Sequence, residues 1–190
     1  MQIVLASASP RRREILEMIG VSDLVICPAQ GEETIPENAT PAQAVVALAA
    51  QKCGSVAKLF DEENVVIAAD TVVSVDGKIL GKPHSEAEAC EMLRSLSGRQ
   101  HCVYTGVAVK YKGVSVAEFE ETRVCFREMT DREIDAYVAT GECMDKAGAY
   151  GIQGIGGYFV SAISGDYYNV VGLPLCRLGT ILSRLGVDLI

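Results

Sequence analysis

Hydrophobic positions along this chain change period repeatedly, and each change marks an element. Residues 65–69, Val-Val-Ile-Ala-Ala, form an uninterrupted apolar run. Such a run predicts a strand buried on both faces, here ending on Asp70-Thr71. Shorter apolar runs predict strands at 2–5 and 24–27. Asp76-Gly77 is a hairpin turn signal between 72–75 and 78–80, and longer strands follow at 101–111 and 114–126, joined through Lys112-Gly113. Elsewhere the period is helical. Thr40-Pro41 opens a long helix with Val45, Leu48 and Ala49 on one face and Lys52 a turn further. Ser85-Glu86-Ala87-Glu88 reads as a capping box ahead of the stripe Ala89, Met92, Leu93 and Leu96. A second box, Thr130-Asp131-Arg132-Glu133, precedes Ile134, Tyr137 and Val138, and Gly141 stops that helix. A glycine-rich stretch then leads to a last strand through Tyr158-Phe159-Val160. Pro174 opens a final helix with Leu175, Leu178, Leu182 and Leu185 as its core stripe. With no repeat, low-complexity tract or linker, the pattern predicts one α/β domain over residues 1–190, built on a mixed sheet.

Composition narrows the function more than the fold. The 190 residues are 49% hydrophobic and carry a net charge of −8. A general nucleic-acid binder needs a basic face, so this balance argues against one, while a local basic pocket for a small phosphorylated ligand remains compatible with it. No apolar run approaches the roughly 20 residues of a membrane span. Met1-Gln2-Ile3 does not begin like a signal peptide. The seven cysteines are scattered and never spaced as C-x-x-C. They are expected to be buried thiols rather than disulfides or zinc ligands.

The strongest chemical signal lies near the start. Ser9 suits an N-cap and Pro10 the first helical position, so Arg11, Arg12 and Arg13 fall in the first turn. The positive end of the helix dipole disfavours cations there. The arrangement makes sense if an anion docks at the helix start, met by serine hydroxyls and guanidinium forks. A solvated basic turn, with Arg13 paired to Glu14 or Glu17, is the plainer alternative. Asp70 is the best single candidate for catalysis, a carboxylate at the end of a buried strand; a turn-making aspartate is the alternative. Glu32 and Glu33 could join it around a hard cation. Lys52 lies on a largely apolar helix face, where a snorkelling lysine is the default. Gly81-Lys82-Pro83 is not a P-loop, because Pro83 stands where Ser or Thr is needed. Residues 151–157, Gly-Ile-Gln-Gly-Ile-Gly-Gly, lack the dinucleotide fingerprint but permit close backbone approach to a ligand, with Gln153 at their centre. With only His84 and His101, and neither H-E-x-x-H nor G-x-S-x-G, zinc-protease and serine-hydrolase chemistry is weakly supported.

Several blocks stand out when taken together. They are Leu5-Ala6-Ser7-Ala8-Ser9-Pro10-Arg11-Arg12, Ala69-Asp70-Thr71-Val72-Val73, Gly81-Lys82-Pro83 and Tyr104-Thr105-Gly106. Two longer ones are Asp145-Lys146-Ala147-Gly148-Ala149-Tyr150-Gly151-Ile152-Gln153-Gly154 and residues 165–175. Nearly end to end, these blocks resemble the Maf family, nucleoside triphosphate pyrophosphatases also known as septum-formation inhibitors. The resemblance implies an elongated mixed sheet flanked by helices with a cleft between two lobes, similar to inosine triphosphate pyrophosphatases. It also implies a homodimer, a cytoplasmic location and a divalent metal, Mg²⁺ or Mn²⁺. The implied reaction is hydrolysis of dTTP and UTP, or modified pyrimidine triphosphates, at the α–β anhydride. Asp70 then corresponds to the catalytic acidic residue and Lys52 and Lys82 to phosphate-binding lysines. Ser7, Arg11 and Arg12 belong to the entrance motif, and Glu33, with Asp70, to the metal site. Gln30-Gly31-Glu32-Glu33 departs from the aspartate-rich run usual there. Arg11, Thr71 and Gln153 match the branch that prefers dTTP and UTP. A nucleotide-binding regulator of division without turnover is the alternative; retention of Asp70, Lys52 and Lys82 together speaks against it.

Overall fold

The computed structural model describes residues 1–31 and 33–189. In chain order the elements are β1 (Ile3–Leu5), α1 (Pro10–Met18), β2 (Leu24–Ile26), α2 (Pro41–Ala57), β3 (Val65–Val75), β4 (Lys78–Leu80), α3 (Glu86–Leu96), β5 (Gln100–Tyr111), β6 (Val114–Phe126), α4 (Asp131–Val138), β7 (Val160–Ser164), α5 (Tyr167–Val171) and α6 (Leu175–Arg184). The strands form one mixed sheet in the order β2-β1-β3-β5-β6-β7, with β4 also on β3. β1 runs parallel to β2 and β3; the remaining pairs are antiparallel.

The alternation of β3 sorts the core into layers. Ile67 and Ala69 face one side and, with Leu5, Val107 and Val109, pack under α1 and α6. Val66 and Ala68 face the other side and pack with Ala108 under α2. Further along, Val73 and Val75 join Val103 and Val124 beneath α3 and α4. Helices therefore cover opposite ends of the long strands, and a cleft opens between them. Burying this apolar surface is the main driving force for the fold. Among the described residues no helix is long and apolar enough to cross a membrane.

Four expectations need correction. Asp70 lies in the middle of an eleven-residue strand, not at its end, because β5 pairs with β3 continuously from Val66 to Ser74. The last strand begins at Val160; Ile155–Phe159, with Gly156 and Gly157 inside it, forms a 3₁₀ turn instead. Ser85 caps α3 through the Glu88 N–H, but the Glu88 carboxylate accepts from the His84 N–H rather than closing a reciprocal box. Of the cysteines only Cys53 and Cys143 are buried, and Cys176 is exposed. The box at Thr130 and Glu133 is complete, as is a second at Thr40 and Gln43.

Candidate active site

The cleft exists because one edge of β3 is shared by two short strands. β1 follows β3 only as far as Ile67, where the Ala6 N–H closes the ladder on the Ile67 carbonyl at 2.7 Å. β4 takes up the same edge only at Val73. Residues 68–72 have no strand neighbour there, and the chain from Ala6 to Arg12 lines the gap. The resulting cavity has a volume of about 600 Å³. It is lined by all nine residues singled out from the sequence: Ser7, Arg11, Arg12, Glu33, Lys52, Asp70, Thr71, Lys82 and Gln153. Glu32 lies outside the described residues.

Lys52 does not snorkel to solvent. It reaches from α2 to an ion pair with Asp70 Oδ1, both side chains being about 15% exposed, and its ammonium also meets Glu33 Oε1 at 3.1 Å. Two carboxylates thus converge on one positive charge. Asp70 Oδ2 receives no hydrogen bond from the described residues.

Arg12 is held differently. Its Nε donates to the Gly172 carbonyl (2.7 Å), Nη1 to Ser7 Oγ (3.0 Å) and Nη2 to Thr71 Oγ1 (3.1 Å). All three acceptors are neutral. Desolvation lowers the guanidinium to about 10, a fall that Asp70 opposes and Arg11 reinforces. A guanidinium has five N–H bonds, so one is left on each terminal nitrogen. That pair is the fork suited to a phosphate or carboxylate. Ser9 occupies the N-cap of α1 as expected but makes no cap bond; Ser7 Oγ accepts its N–H at 3.2 Å. Arg13 turns outward to an exposed pair with Glu17 at 2.7 Å and takes no part in the cleft.

The opposite wall comes from the chain after α4. Arg11 meets Asp145 at 3.2 Å, and Lys146 bonds both Asp145 Oδ1 (2.6 Å) and the Glu142 carbonyl (2.5 Å). The glycine-rich loop wraps the Glu142 side chain, which accepts from Tyr137 Oη (3.0 Å), Ile155 N (2.9 Å) and Gly156 N (3.1 Å). Burial alone would raise the Glu142 carboxyl; these donors and Lys146 together bring it below its usual range. A Cβ at Gly154 would lie 2.4 Å from Glu142 Oε2, so the loop can close this tightly only with glycine there. Gln153 sits exposed at its apex. Lys82, also exposed on the loop after β4, makes no ion pair among the described residues.

Glu142, Asp145, Lys146 and Tyr150 line the cleft without having been given a site role from the sequence, although the last three lie in a block that carries the family resemblance. The usable signal was the alternation of acid, base and aromatic just ahead of the glycine run. His101 is buried behind Tyr150, with Nε2 2.8 Å from the phenol oxygen. Among the described residues no group of three or more His, Cys, Asp or Glu side chains forms a metal cage.

A family model described as Maf-like protein matches residues 2–185. The dTTP/UTP pyrophosphatase of Bacillus cereus (strain AH820) is 51% identical over 187 residues, covering 98% of this chain and 97% of that protein. The dTTP/UTP pyrophosphatase of Bacillus anthracis (strain CDC 684 / NRRL 3495) is 50% identical over the same span. Among solved structures, a HAM1 protein from Coxiella burnetii aligns with a TM-score of 0.51 and 15% identity. It covers 97% of this chain and 99% of that one, a likeness of fold alone.

Proposed function

Because the chain belongs to the Maf family, we propose that its cleft hydrolyses dTTP and UTP between the α- and β-phosphates, releasing nucleoside monophosphate and pyrophosphate. The observation that carries this reading is a guanidinium, Arg12, hydrogen-bonded only to neutral acceptors and sharing one cavity with the half-buried carboxylate Asp70. A cation held only by neutral acceptors calls for an anionic ligand. The relatives' names supply the class of that anion.

In this mechanism Lys52 fixes Asp70 through Oδ1 and leaves Oδ2 open to a water O–H. Asp70 takes the water proton as the water oxygen bonds to phosphorus, the anhydride bond breaks, and pyrophosphate departs with the electron pair. Arg12 and Lys82 meet the charge that gathers on the leaving group. Arg11, tethered to Asp145, closes the entrance over the phosphates. Lys52 thus acts first on the carboxylate rather than on phosphate.

Glu33 and Asp70 fit a divalent cation of the Mg²⁺ or Mn²⁺ kind. Such ions take one or two protein carboxylates and complete their shell with phosphate oxygens and water, and these two carboxylates already converge on one positive charge. Bound there, the cation would supply neutralisation of phosphate charge and polarisation of a phosphoryl oxygen.

Gln153 reads the base. Thymine and uracil present a carbonyl acceptor beside an imide N–H donor, which an amide side chain held in one orientation can pair with at two points; cytosine presents an amino donor beside a ring-nitrogen acceptor and reverses both positions. An unmatched buried polar group costs about 1–3 kcal/mol, roughly ten- to hundredfold in selectivity. The same reading takes residues 1–190 as one domain that works as a homodimer in the cytoplasm. Pyrophosphate release from dTTP, UTP, CTP and purine triphosphates, with Mg²⁺ or Mn²⁺, tests it. Wild type should favour dTTP and UTP, and Gln153→Ala should lose the preference over CTP. Turnover by Asp70→Asn near the wild-type rate would overturn the assignment of the base.

A further inference from the structure

Thr71 lines the cleft, yet its hydroxyl is already committed. It lies 3.1 Å from Arg12 Nη2 and 2.9 Å from Thr105 Oγ1. Thr105 is fully buried, and its own hydroxyl donates to the Asn169 carbonyl at 2.9 Å. The two ends of this chain fix its direction. Arg12 can only donate and a carbonyl can only accept. Thr105 spends its single proton on Asn169, so Thr71 must donate to Thr105 and turn a lone pair toward Arg12. Reversing the Thr71–Thr105 link would take the Thr105 proton from the Asn169 carbonyl and leave two acceptors facing each other there.

The far end of the chain is anchored. Asn169 is fully buried, and its amide nitrogen donates to the Val103 carbonyl and to Thr122 Oγ1, each at 3.0 Å. Val103 O is an acceptor only, which settles the orientation of the amide. Three residues on, Gly172 gives its carbonyl directly to Arg12 Nε. The α5 segment therefore grips Arg12 twice, once directly and once through two threonines that cross β3 and β5. Thr71 and Thr105 are cross-strand partners, so the sheet register itself sets the spacing of the relay.

We propose that Thr105, which does not itself line the cleft, is a positioning residue for Arg12: through Thr71 it holds the guanidinium so that its two remaining N–H bonds face the pyrophosphoryl group. This rests on the reading of the cleft as a triphosphate site. Without the Thr105 hydroxyl, Thr71 has no fixed acceptor, its lone pair is no longer aimed at Arg12, and one corner of the fork is released.

The test is calorimetric titration of inorganic pyrophosphate into wild type, Thr105→Val, Thr105→Ser and Arg12→Lys, and into the Arg12→Lys, Thr105→Val double variant, with thermal melts alongside. Thr105→Val keeps the side-chain shape and should weaken pyrophosphate binding at least tenfold, while Thr105→Ser should return it to within about threefold of wild type. Lysine cannot be held by the relay, so Thr105→Val should add little in the Arg12→Lys background, the signature of two residues acting as one unit. If Thr105→Val unfolds, Thr71→Val breaks the same relay at a half-buried position and should show the same loss. Unchanged affinity in Thr105→Val, or effects that simply multiply in the double variant, would reduce Thr105 to a structural role. Wild-type protein that fails to bind pyrophosphate would instead remove the reading of the cleft, and the relay claim with it.

Discussion

Gly106→Ala is the sharpest test of how the sheet and α2 set the site. Gly106 faces Asp70 across the β3–β5 ladder. A Cβ there would lie 2.1 Å from the Val45 carbonyl oxygen and 2.9 Å from the Val46 nitrogen, both α2 backbone. Ordinary contact begins at about 3.4 Å, so α2 must retreat by roughly 1.3 Å; backbone cannot swing aside as a side chain can. Overpacking of this kind costs about 1–3 kcal/mol, part of it offset by alanine's lower conformational entropy in the unfolded chain. For a chain of this size that lowers the melting temperature by roughly 2–12 °C.

The functional consequence follows from what α2 carries. Lys52 lies two turns beyond Val45 and reaches back to Asp70 and Glu33. A retreat of about 1 Å stretches its contacts with both carboxylates, and misplacement on that scale costs on the order of 100-fold in rate. Pyrophosphate release from dTTP and a thermal melt, run on one preparation, separate the two effects. Turnover should fall ten- to hundredfold at a temperature where the variant is still folded. Wild-type turnover with a lowered melting temperature would refute the coupling through Lys52, and wild-type behaviour in both would refute the close approach itself.

Three further outcomes are expected. Burial holds the His101 imidazole at about 4, below its usual 6.5; the unfolded chain binds the proton first, so stability should be lost as pH falls from about 6.5 toward 4, by about 2 kcal/mol near pH 5. Urea midpoints at pH 7 and 5 should show that loss in wild type and a flatter response in His101→Phe; equal slopes would contradict it. Gly179 is exposed within α6 and has open space around it, so Gly179→Ala should add about 0.5–1 kcal/mol in urea denaturation without changing turnover. Glu142→Ala strands the Ile155 and Gly156 N–H groups and the Tyr137 hydroxyl, which should destabilise the protein by about 1–3 kcal/mol and erode discrimination between UTP and CTP several-fold; preserved discrimination in steady-state assays would show that the loop holds Gln153 without it.

The parts of this molecule that were legible in the sequence are those decided locally. The long strands β5 and β6 show in their apolar content and the Lys112-Gly113 turn, and the caps at Thr40 and Thr130 announce α2 and α4. The arginines at the start of α1 flagged the cleft because they defy the helix dipole. What failed needed partners distant in the chain. Asp70-Thr71 looked like a strand end because polar residues follow an apolar run, but β5 supplies the missing ladder. Lys52 looked like a snorkelling side chain because its carboxylates come from β3 and from a loop. The five-residue α5 is too short for any helical period to register. Thr105 and Asn169 fall in blocks that carry the family resemblance, but their role gave no signal, since a buried polar network is recognisable only once its partners are in place.

The central claim is that this cleft cuts the α–β anhydride of a pyrimidine triphosphate with Asp70 as base. Phosphorus NMR of dTTP incubated with Mg²⁺ and either wild type or Asp70→Asn reads it directly. The account predicts dTMP and pyrophosphate from wild type, and intact dTTP with the variant at matched times. Appearance of dTDP and inorganic phosphate, or the same pyrophosphate signal with Asp70→Asn, would contradict it.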